Sequence, residues 1–261
     1  MVDVGEVYES GSGPPLLLLH SGLGTWRDWR PILTTLEAHH RVIAPTSPGS
    51  SGGPPLELRG AGLTAAFADH AETVLDRRGI SDPVAVAASS FGGVVALELA
   101  RRQRARSVVA LAPPYVELPG ASAVFFVAFL LMQAILWPTT PVHGRVARSR
   151  RGPGLFLHGS PRATVVEPDD LVVTMGSMAQ FPLWSAVRQG GLRRARPDYS
   201  SITCPVTIAR GTKDRIMAAW MLRRWASDIP GADLVELADL PHHPQLRDPS
   251  VIAELILSRS R

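Results

Sequence analysis

Short apolar runs alternate along the chain with longer segments in which apolar residues recur every three or four positions. The short runs are apolar at consecutive positions, as expected of strands in a parallel sheet that is covered on both faces. They predict strands at residues 16–19, 42–44, 84–88, 108–112, 206–209 and 233–237. The periodic segments predict helices at residues 29–38, 64–78, 91–103, 217–227 and 249–259. This alternation is typical of an α/β protein with a mostly parallel central sheet and helices on both faces.

The alternation stops between residues 113 and 200, where prolines are frequent and the apolar segments have helical rather than strand character. An insertion at the carboxyl end of a strand in a parallel sheet lies beside the edge where ligands bind. The sequence therefore predicts a core formed by residues 1–112 and 201–261, with a helical lid inserted at residues 113–200. The lid precedes the strand predicted at residues 206–209.

Composition narrows the class of protein. The chain has 261 residues, of which 45% are hydrophobic, and this excludes overall disorder and allows a substantial core. Its one cysteine, Cys204, has no intrachain partner, so a disulfide scaffold is excluded. A formal net charge of +4 raises the question of a nucleic-acid partner. The arginines are scattered without interleaved aromatic residues, and no nucleic-acid partner is expected.

Targeting and membrane signals are weak. Residues 1–10 contain acidic but no basic side chains, which is unlike a secretory signal. The longest apolar run, at residues 121–137, is slightly shorter than the roughly 18 residues that suggest a membrane span. We interpret it as a buried or lid helix, with membrane contact as the alternative, and expect no stable membrane insertion. A cytoplasmic location follows as the default, and the oligomeric state is left open.

The most informative segment reads Val-Ala-Val-Ala-Ala-Ser-Ser-Phe-Gly-Gly, where a predicted strand runs directly into a predicted helix at Ser90. A nucleophile on such a turn needs small residues two positions before and after it, because the strand and the helix pass close together. Ala88 and Gly92 meet this need around Ser90. Ser89 is the alternative nucleophile, but it would need a small residue where Phe91 stands.

A second motif follows the first predicted strand, where the chain reads His-Ser-Gly-Leu-Gly from His20 onward. Together with the turn at Ser90, this loop resembles the α/β-hydrolase family, and the resemblance covers the core from the first predicted strand to the C-terminus. It implies an α/β-hydrolase fold and an oxyanion hole formed by the N–H groups of Gly22 and Phe91. Ser21 stands where the family usually has glycine, and His20 is expected to brace the loop rather than to react.

The resemblance also implies a catalytic acid and, after it, a histidine, because the nucleophile, acid and base follow one another in that order in this family. Asp214 follows the strand predicted at residues 206–209 and a glycine turn, which is the family's pattern for the acid. Asp233 and Asp239 are weaker alternatives, since neither follows a buried strand with a glycine turn.

The base is either His242 or His243. The family pattern places prolines two and seven residues after the catalytic histidine, and Pro244 and Pro249 have those offsets from His242. His242 is therefore the expected base. It would take the proton of the serine hydroxyl, while the acid orients its ring.

Together these motifs predict a serine hydrolase with a hydrophobic acyl substrate, for which a carboxylic ester is the default and a thioester or lactone stays open. Two other classes also stay open. One is a non-hydrolytic enzyme on the same fold, such as a lyase, cyclase, acyltransferase or cofactor-free oxygenase, and the other is a small-molecule binding protein with a vestigial triad. The sequence contains no metal-ligand cluster or cofactor motif, so neither a metal nor a cofactor is expected. Candidates for lining the substrate pocket are Leu23, Phe126, Phe129, Met132 and Trp184.

Overall fold

The computed structural model describes residues 3–58, 62–117, 120–149, 166–189 and 197–260. Its strands are β1 Val7–Ser10, β2 Pro15–Leu19, β3 Arg41–Pro45, β4 Val84–Ser89, β5 Ala105–Leu111, β6 Val206–Gly211 and β7 Asp233–Leu237. They form a seven-stranded sheet in the order β1-β3-β2-β4-β5-β6-β7. Strand β1 is antiparallel to β3, and the other neighbouring pairs are parallel. The predicted mostly parallel sheet is confirmed.

Helices cover both faces of this sheet. They are α1 Arg30–Glu37, α2 Leu63–Asp76, α3 Phe91–Arg101, α4 Ala121–Leu136, α5 His143–Ala147, α6 Pro168–Gln180, α7 Leu183–Arg188, α8 Ala219–Asp228 and α9 Pro249–Arg259. One face packs against α2, α3 and α8, and the other packs against α1 and α9. Neighbouring residues of one strand therefore serve different cores, as Leu17 and Leu18 do. This explains why the strands read as continuous apolar runs.

The hydrophobic pattern does not predict β1, an edge strand whose residues are mostly half-buried and which is held by pairing with β3. Some element ends also differ from the prediction. The helix predicted from residue 217 begins at Ala219, because the N–H of Met217 donates to the carboxylate of Asp214. The strand predicted at residues 108–112 ends at Leu111, since Ala112 has a left-handed φ of 49°.

Between β5 and β6 the described residues form helices α4 to α7, and we refer to residues 113–200 as the lid segment. This segment has a small apolar cluster of its own, consisting of Leu136, Ala147, Leu171, Met175 and Ala179. Near its two ends Tyr115 and Tyr199 each pack edge to face on Trp225 of α8, with ring centroids 5.0 Å apart. Both ends are thus anchored to a core helix. The boundaries of a separate lid at residues 113 and 200 stay a prediction.

No single helix within the described ranges is both long and apolar enough to cross a membrane. One bent pair of helical segments, Ala123–Leu136 and Thr140–Ala147, meets the criteria of length and composition when taken together, with a bend of 64° between them. The first segment is most of α4.

The order of the strands reverses at β2, which has β3 on one side and β4 on the other. The carboxyl ends of β2 and β4 therefore open onto a crevice, which is the place where such sheets bind ligands. His20 follows β2 and Ser90 follows β4. The predicted loop and the predicted turn consequently meet at this crevice.

Candidate active site

Ser90 occupies the turn between β4 and α3 and has a backbone conformation that L-residues rarely adopt, with φ 51° and ψ −122°. Such a conformation costs about 1–3 kcal/mol and needs support from its surroundings. The N–H of Ser90 donates to the carbonyl of Leu111 at 2.7 Å, which ties the turn to β5. A side chain at Gly92 would overlap the carbonyl oxygen of His20 and lie 2.7 Å from that of Leu19, so only glycine fits there.

Three side chains from different parts of the chain form a hydrogen-bonded row at this turn. The Nε2 atom of His242 lies 3.1 Å from Oγ of Ser90, and the Nδ1 atom lies 2.9 Å from Oδ2 of Asp214. An ionised carboxylate can only accept, so the proton of the neutral ring lies on Nδ1 and Nε2 accepts from the serine hydroxyl. His242 and Asp214 are buried, whereas Ser90 is partly exposed. The structure thus brings the predicted nucleophile, base and acid together.

The second carboxylate oxygen of Asp214 accepts the backbone N–H groups of Ile216 and Met217 at 2.8 and 2.9 Å. Burial by itself raises the pKa of Asp214, but the hydrogen bond and charge attraction from His242 and the two N–H groups outweigh it. The pKa of Asp214 is therefore lowered from its usual value. An ionised acid in this position stabilises a positively charged imidazole ring.

The loop that carries Asp214 is held by a buried arginine that no sequence motif singles out. Arg210 of β6 donates from Nε to the carbonyl of Met217 at 2.6 Å and from a terminal nitrogen to that of Asp214 at 2.8 Å. A side chain at Gly211 would overlap the carbonyl of Leu240, so glycine lets the strand end approach the segment before the base. The available signal in the sequence is a charged residue at the end of an otherwise apolar strand.

The alternative nucleophile and base lie next to this row but outside it. Ser89 is fully buried, and its Oγ lies 3.4 Å from the amide nitrogen of Gln245. His243 packs against His242, with ring centroids 4.6 Å apart. Neither residue takes part in the row of hydrogen bonds that contains Ser90.

The two alternative acids form ion pairs at the protein surface. Asp239 pairs with Lys213 at 2.8 Å, and both side chains are largely exposed. Asp233 pairs with Arg259 at 2.5 Å. Within the ranges that the structure describes, no group of three or more histidine, cysteine, aspartate or glutamate residues could hold a metal ion.

His20 braces the loop that follows β2. Its Nδ1–H donates to the carbonyl of Ser21 at 2.7 Å, and its Nε2 accepts the N–H of Ser47 at 2.8 Å. Burial lowers the pKa of His20 to about 4, so the ring is neutral near pH 7, as this pair of hydrogen bonds requires. The ring therefore joins the loops that follow β2 and β3, as expected of a bracing histidine.

Asp28 holds the same loop from a second side. Its Oδ2 accepts from Oγ of Ser21 at 2.6 Å and from the N–H of Ser21 at 3.2 Å. Burial raises the pKa of Asp28 to about 6, against the opposing effect of hydrogen bonds from Ser21 and Thr25. A side chain at Gly24 would overlap this carboxylate. The buried acid thus fixes the peptide that leads into Gly22.

The two positions predicted to supply oxyanion donors adjoin each other. A Cβ atom placed on Gly22 would lie 3.1 Å from Cβ of Phe91 and 3.9 Å from the ring of Phe129. Among the described residues, neither the N–H of Gly22 nor that of Phe91 donates to another protein group. Phe91 is the first residue of α3, and the N-terminus of a helix favours negative charge.

A cavity of about 200 Å³ lies between this loop and the lid segment. On the core side it is lined by Ser21, Arg27, Asp28 and His243. Its lid side is mainly apolar and includes Met132, Ile135, Leu136, Leu171 and Met178. Ser90 and His242 are not among its lining residues, so the cavity adjoins the hydrogen-bonded row through Ser21 and His243 and does not contain it. A largely apolar cavity with a small polar end is typical of a small-molecule site.

The five residues predicted to line a substrate pocket fall in different places. Met132 lines the cavity, and Phe129 covers the loop at Gly22. Leu23 is buried in the core with a left-handed φ of 68°. Phe126 contacts Trp184 edge to face at 5.5 Å. Trp184 is 61% exposed. The assignment of these five residues to a substrate pocket stays a prediction.

This arrangement of a strained serine turn, an acid after β6 and a histidine after β7 is that of an α/β hydrolase. The sequence profile of the Alpha/beta hydrolase family matches residues 16–255. The chain therefore belongs to this family, and the resemblance noted in the sequence is confirmed.

Individual relatives span most of the chain. It is 29% identical over 254 residues to the pimeloyl-[acyl-carrier protein] methyl ester esterase of Aromatoleum aromaticum, covering 93% of this chain and 96% of the relative. It is also 29% identical over 234 residues to the magnesium-chelatase 30 kDa subunit of Rhodobacter capsulatus, covering 85% and 78%. A solved esterase structure from Thermogutta terrifontis has a TM-score of 0.68 at 21% identity, covering 97% of this chain and 91% of that chain. The structural likeness shows the fold.

Proposed function

We propose that this α/β hydrolase cleaves carboxylic esters, with Ser90 as nucleophile, His242 as general base and acid, and Asp214 as the orienting acid. The observation that carries the proposal is the row of two hydrogen bonds, 3.1 Å from Ser90 to His242 and 2.9 Å from His242 to Asp214. A serine hydroxyl is a weak nucleophile near neutral pH unless a base lies within hydrogen-bond reach. The row supplies that base and holds its ring in the required tautomer.

In the first half of the proposed reaction, Oγ of Ser90 attacks the carbonyl carbon of the ester, and its proton passes to Nε2 of His242. The oxyanion of the tetrahedral intermediate accepts from the N–H groups of Gly22 and Phe91. The imidazolium then donates its proton to the alcohol oxygen. The bond between this oxygen and the acyl carbon breaks, the alcohol leaves, and the acyl group remains on Ser90.

In the second half, water attacks the acyl carbon while Nε2 of His242 takes one of its protons. The second tetrahedral intermediate collapses, His242 returns the proton to Oγ of Ser90, and the carboxylic acid is released. Asp214 stays ionised throughout. Its lowered pKa favours this role, because it must stabilise the positive charge on His242 in both halves.

The proposed substrate class is an ester of a hydrophobic acyl group. The apolar lid side of the cavity, with Met132 and Leu171, and the ring of Phe129 over the loop at Gly22 support this class. The relative from Aromatoleum aromaticum is named as a methyl ester esterase, which agrees with ester cleavage. Thioesters and lactones carry the same reactive acyl carbon and belong in the substrate panel.

The test is a panel of p-nitrophenyl esters that runs from acetate to laurate. We expect Ser90→Ala to lose roughly a thousandfold or more of kcat, because it removes the nucleophile. Ser89→Ala is the matched control and is expected to keep most of the activity, since Ser89 lies outside the row. Undiminished turnover by Ser90→Ala would overturn the proposal.

Two further measurements separate the remaining classes. A fluorophosphonate probe labels an activated serine, so labelling that disappears in Ser90→Ala supports a hydrolase over a binding protein with a vestigial triad. Product analysis of a cleaved ester distinguishes hydrolysis, which releases an acid and an alcohol, from acyl transfer or lyase chemistry. A well-folded protein that never labels would contradict the proposed nucleophile.

A further inference from the structure

The outward side of α4 is an apolar surface. Val124, Val127, Leu131 and Ile135 lie three or four positions apart and share one face of the helix, and Ile135 at its end also borders the cavity. Their exposed fractions are 69, 52, 64 and 66%. Large exposed apolar patches mark interaction sites on proteins. We call this patch the lid surface; it consists of Val124, Val127, Leu131, Ile135, Trp137 and Trp184.

The opposite side of α4 is packed, so the orientation of the helix is fixed. Phe129 reaches the loop at Gly22, and Met132 lines the cavity. The side-chain amide of Gln133 donates to the carbonyl of Phe181 at 2.7 Å. A helix that is apolar all round belongs in a core or in a lipid environment, and only one half of α4 is in a core.

Two exposed tryptophans flank the apolar stripe. Trp137 follows the last residue of α4 and is 71% exposed. Trp184 is 61% exposed and packs on Phe126, in the first half of the helix. Tryptophan is enriched where proteins meet the lipid headgroup region, because its ring is apolar and its N–H is polar.

The charge pattern around the lid surface suits an anionic partner. Residues 121–142 contain no charged side chain. Arg145 of α5 and Arg188 of α7 are exposed, and Arg188 lies one helical turn after Trp184. Arg148 is paired with Asp169. A second copy docked here about a two-fold axis would bring like charges together, which disfavours self-association through this face.

We propose that the lid surface docks on an anionic lipid bilayer, with α4 lying in the plane of the headgroups and Arg145 and Arg188 near the lipid phosphates. The contact is peripheral and involves only the outward side of the helix. Because the ring of Phe129 on the inward side of α4 lies against the loop at Gly22, docking would place the proposed oxyanion loop beside membrane-dissolved acyl esters. This last consequence rests on the proposed function, whereas the docking itself does not.

The test is flotation of the Ser90→Ala protein with phosphatidylcholine vesicles that contain or lack phosphatidylglycerol. This variant avoids consumption of lipid esters during the measurement. We expect the protein to float with the anionic vesicles and to be released by high salt, because salt screens the arginine–phosphate attraction. Vesicles without phosphatidylglycerol are expected to bind it more weakly.

Substitutions on the lid surface make the test specific. Val127→Glu and Leu131→Glu each remove an apolar side chain and add a negative charge, and glutamate is itself a good helix former. Each is expected to lower partitioning onto anionic vesicles by roughly tenfold or more. Val251→Glu on α9 is the matched control, since Val251 is 41% exposed on another helix, and it is expected to bind as before.

Several outcomes would overturn the proposal. One is that the protein does not float with anionic vesicles at low salt. Another is that Val251→Glu loses as much vesicle binding as the lid-surface variants. A third is that the protein forms a dimer without lipid and that Leu131→Glu dissociates this dimer. If the glutamate variants fail to fold, fluorescence decides: anionic vesicles should shift the emission to the blue, and Trp137→Phe with Trp184→Phe should remove the shift. An unchanged spectrum would overturn it as well. Hydrolysis of water-soluble esters by the wild type is measured separately, so the two proposals fail independently.

Discussion

The hydroxyl of Ser21 donates to Oδ2 of Asp28 at 2.6 Å, and the N–H of Ser21 donates to the same oxygen at 3.2 Å. Ser21 stands where the family usually has glycine, so its hydroxyl adds a hydrogen bond that a glycine could not make. The carboxylate of Asp28 is buried and therefore holds the peptide before Gly22 rigidly. In the proposed reaction that rigidity preorganises one of the two oxyanion donors.

Removal of this hydroxyl should slow catalysis more than it weakens binding. We expect Ser21→Ala to lower kcat by roughly tenfold, because one hydrogen bond to a charged group is lost. KM should change less than kcat, since the hydroxyl proton is donated to Asp28 and is not available to the substrate. Steady-state kinetics on a p-nitrophenyl ester measure both constants. Ser81→Ala, at an exposed serine, is the control, and an equal loss in both variants would contradict a specific role for Ser21.

Asp28 should also leave a signature in the dependence of stability on pH. Its folded pKa of about 6 lies above its ordinary 3.8, so the folded state binds more protons between these values than the unfolded state does. Its contribution to the free energy of unfolding is therefore present below about pH 4 and lost as the pH rises through 6, by on the order of 3 kcal/mol. Neighbouring His20, with its pKa lowered to about 4, contributes in the opposite direction.

Asp28→Asn removes the titrating group. The free energy of unfolding should then rise more steeply, or fall less, between about pH 4 and pH 6 than it does in the wild type. Urea unfolding at several pH values measures the difference. Parallel curves for the two proteins would show that Asp28 does not titrate in this range.

The sequence predicts the sheet, the covering helices and the residues that meet at the crevice, because each has a local signature. Apolar runs define the strands, and the small residues around Ser90 define the turn. The prediction misses Asp28 and Arg210 because their roles depend on burial and on loops that fold back on themselves, with hydrogen-bond partners four to seven residues away. For Trp184, the residue type indicates an aromatic side chain, but the sequence does not indicate whether this side chain faces the core or the solvent.

The proposed triad predicts a large effect at the acid. Asp214→Asn would place an amide N–H₂ opposite Nδ1 of His242, which favours the tautomer with its proton on Nε2 facing Ser90. That tautomer cannot accept the serine proton. We expect kcat to fall by roughly 10³–10⁴-fold, measured with the preferred ester of the panel. Asp239→Asn should have little effect, because Asp239 pairs with Lys213 at the surface.

Arg210 is expected to position Asp214 rather than to touch the substrate. Arg210→Met leaves the carbonyls of Asp214 and Met217 without these donors. We expect kcat and the equilibrium constant for folding each to fall by about tenfold, while KM changes little. Arg210→Lys should recover part of kcat, because it restores a donor. Exposed Arg215 supplies the control in Arg215→Met. Equal kcat values for Arg210→Met and the wild type would remove the positioning role.

Lys213 precedes the acid in sequence but does not point towards it. Its ammonium group lies 2.8 Å from the carboxylate of Asp239, and 67% of its side chain is exposed. We therefore expect Lys213→Ala to leave the pH–rate profile of ester hydrolysis unchanged, since solvent screens an exposed charge. A shifted profile would show that this lysine acts electrostatically on His242 or Asp214.

Strands β5 and β6 lie side by side, with Val108 opposite Val206, although the whole lid segment separates them along the chain. The half of the protein that ends at Leu111 carries Ser90 and the proposed oxyanion loop, and the half that begins at Val206 carries the proposed acid and base, Asp214 and His242. Neither half alone holds all three residues of the proposed triad, and the two halves are joined by sheet hydrogen bonds as well as by the backbone. With the proposed triad divided in this way, ester cleavage by two separately expressed halves would report their reassembly across the β5–β6 pairing.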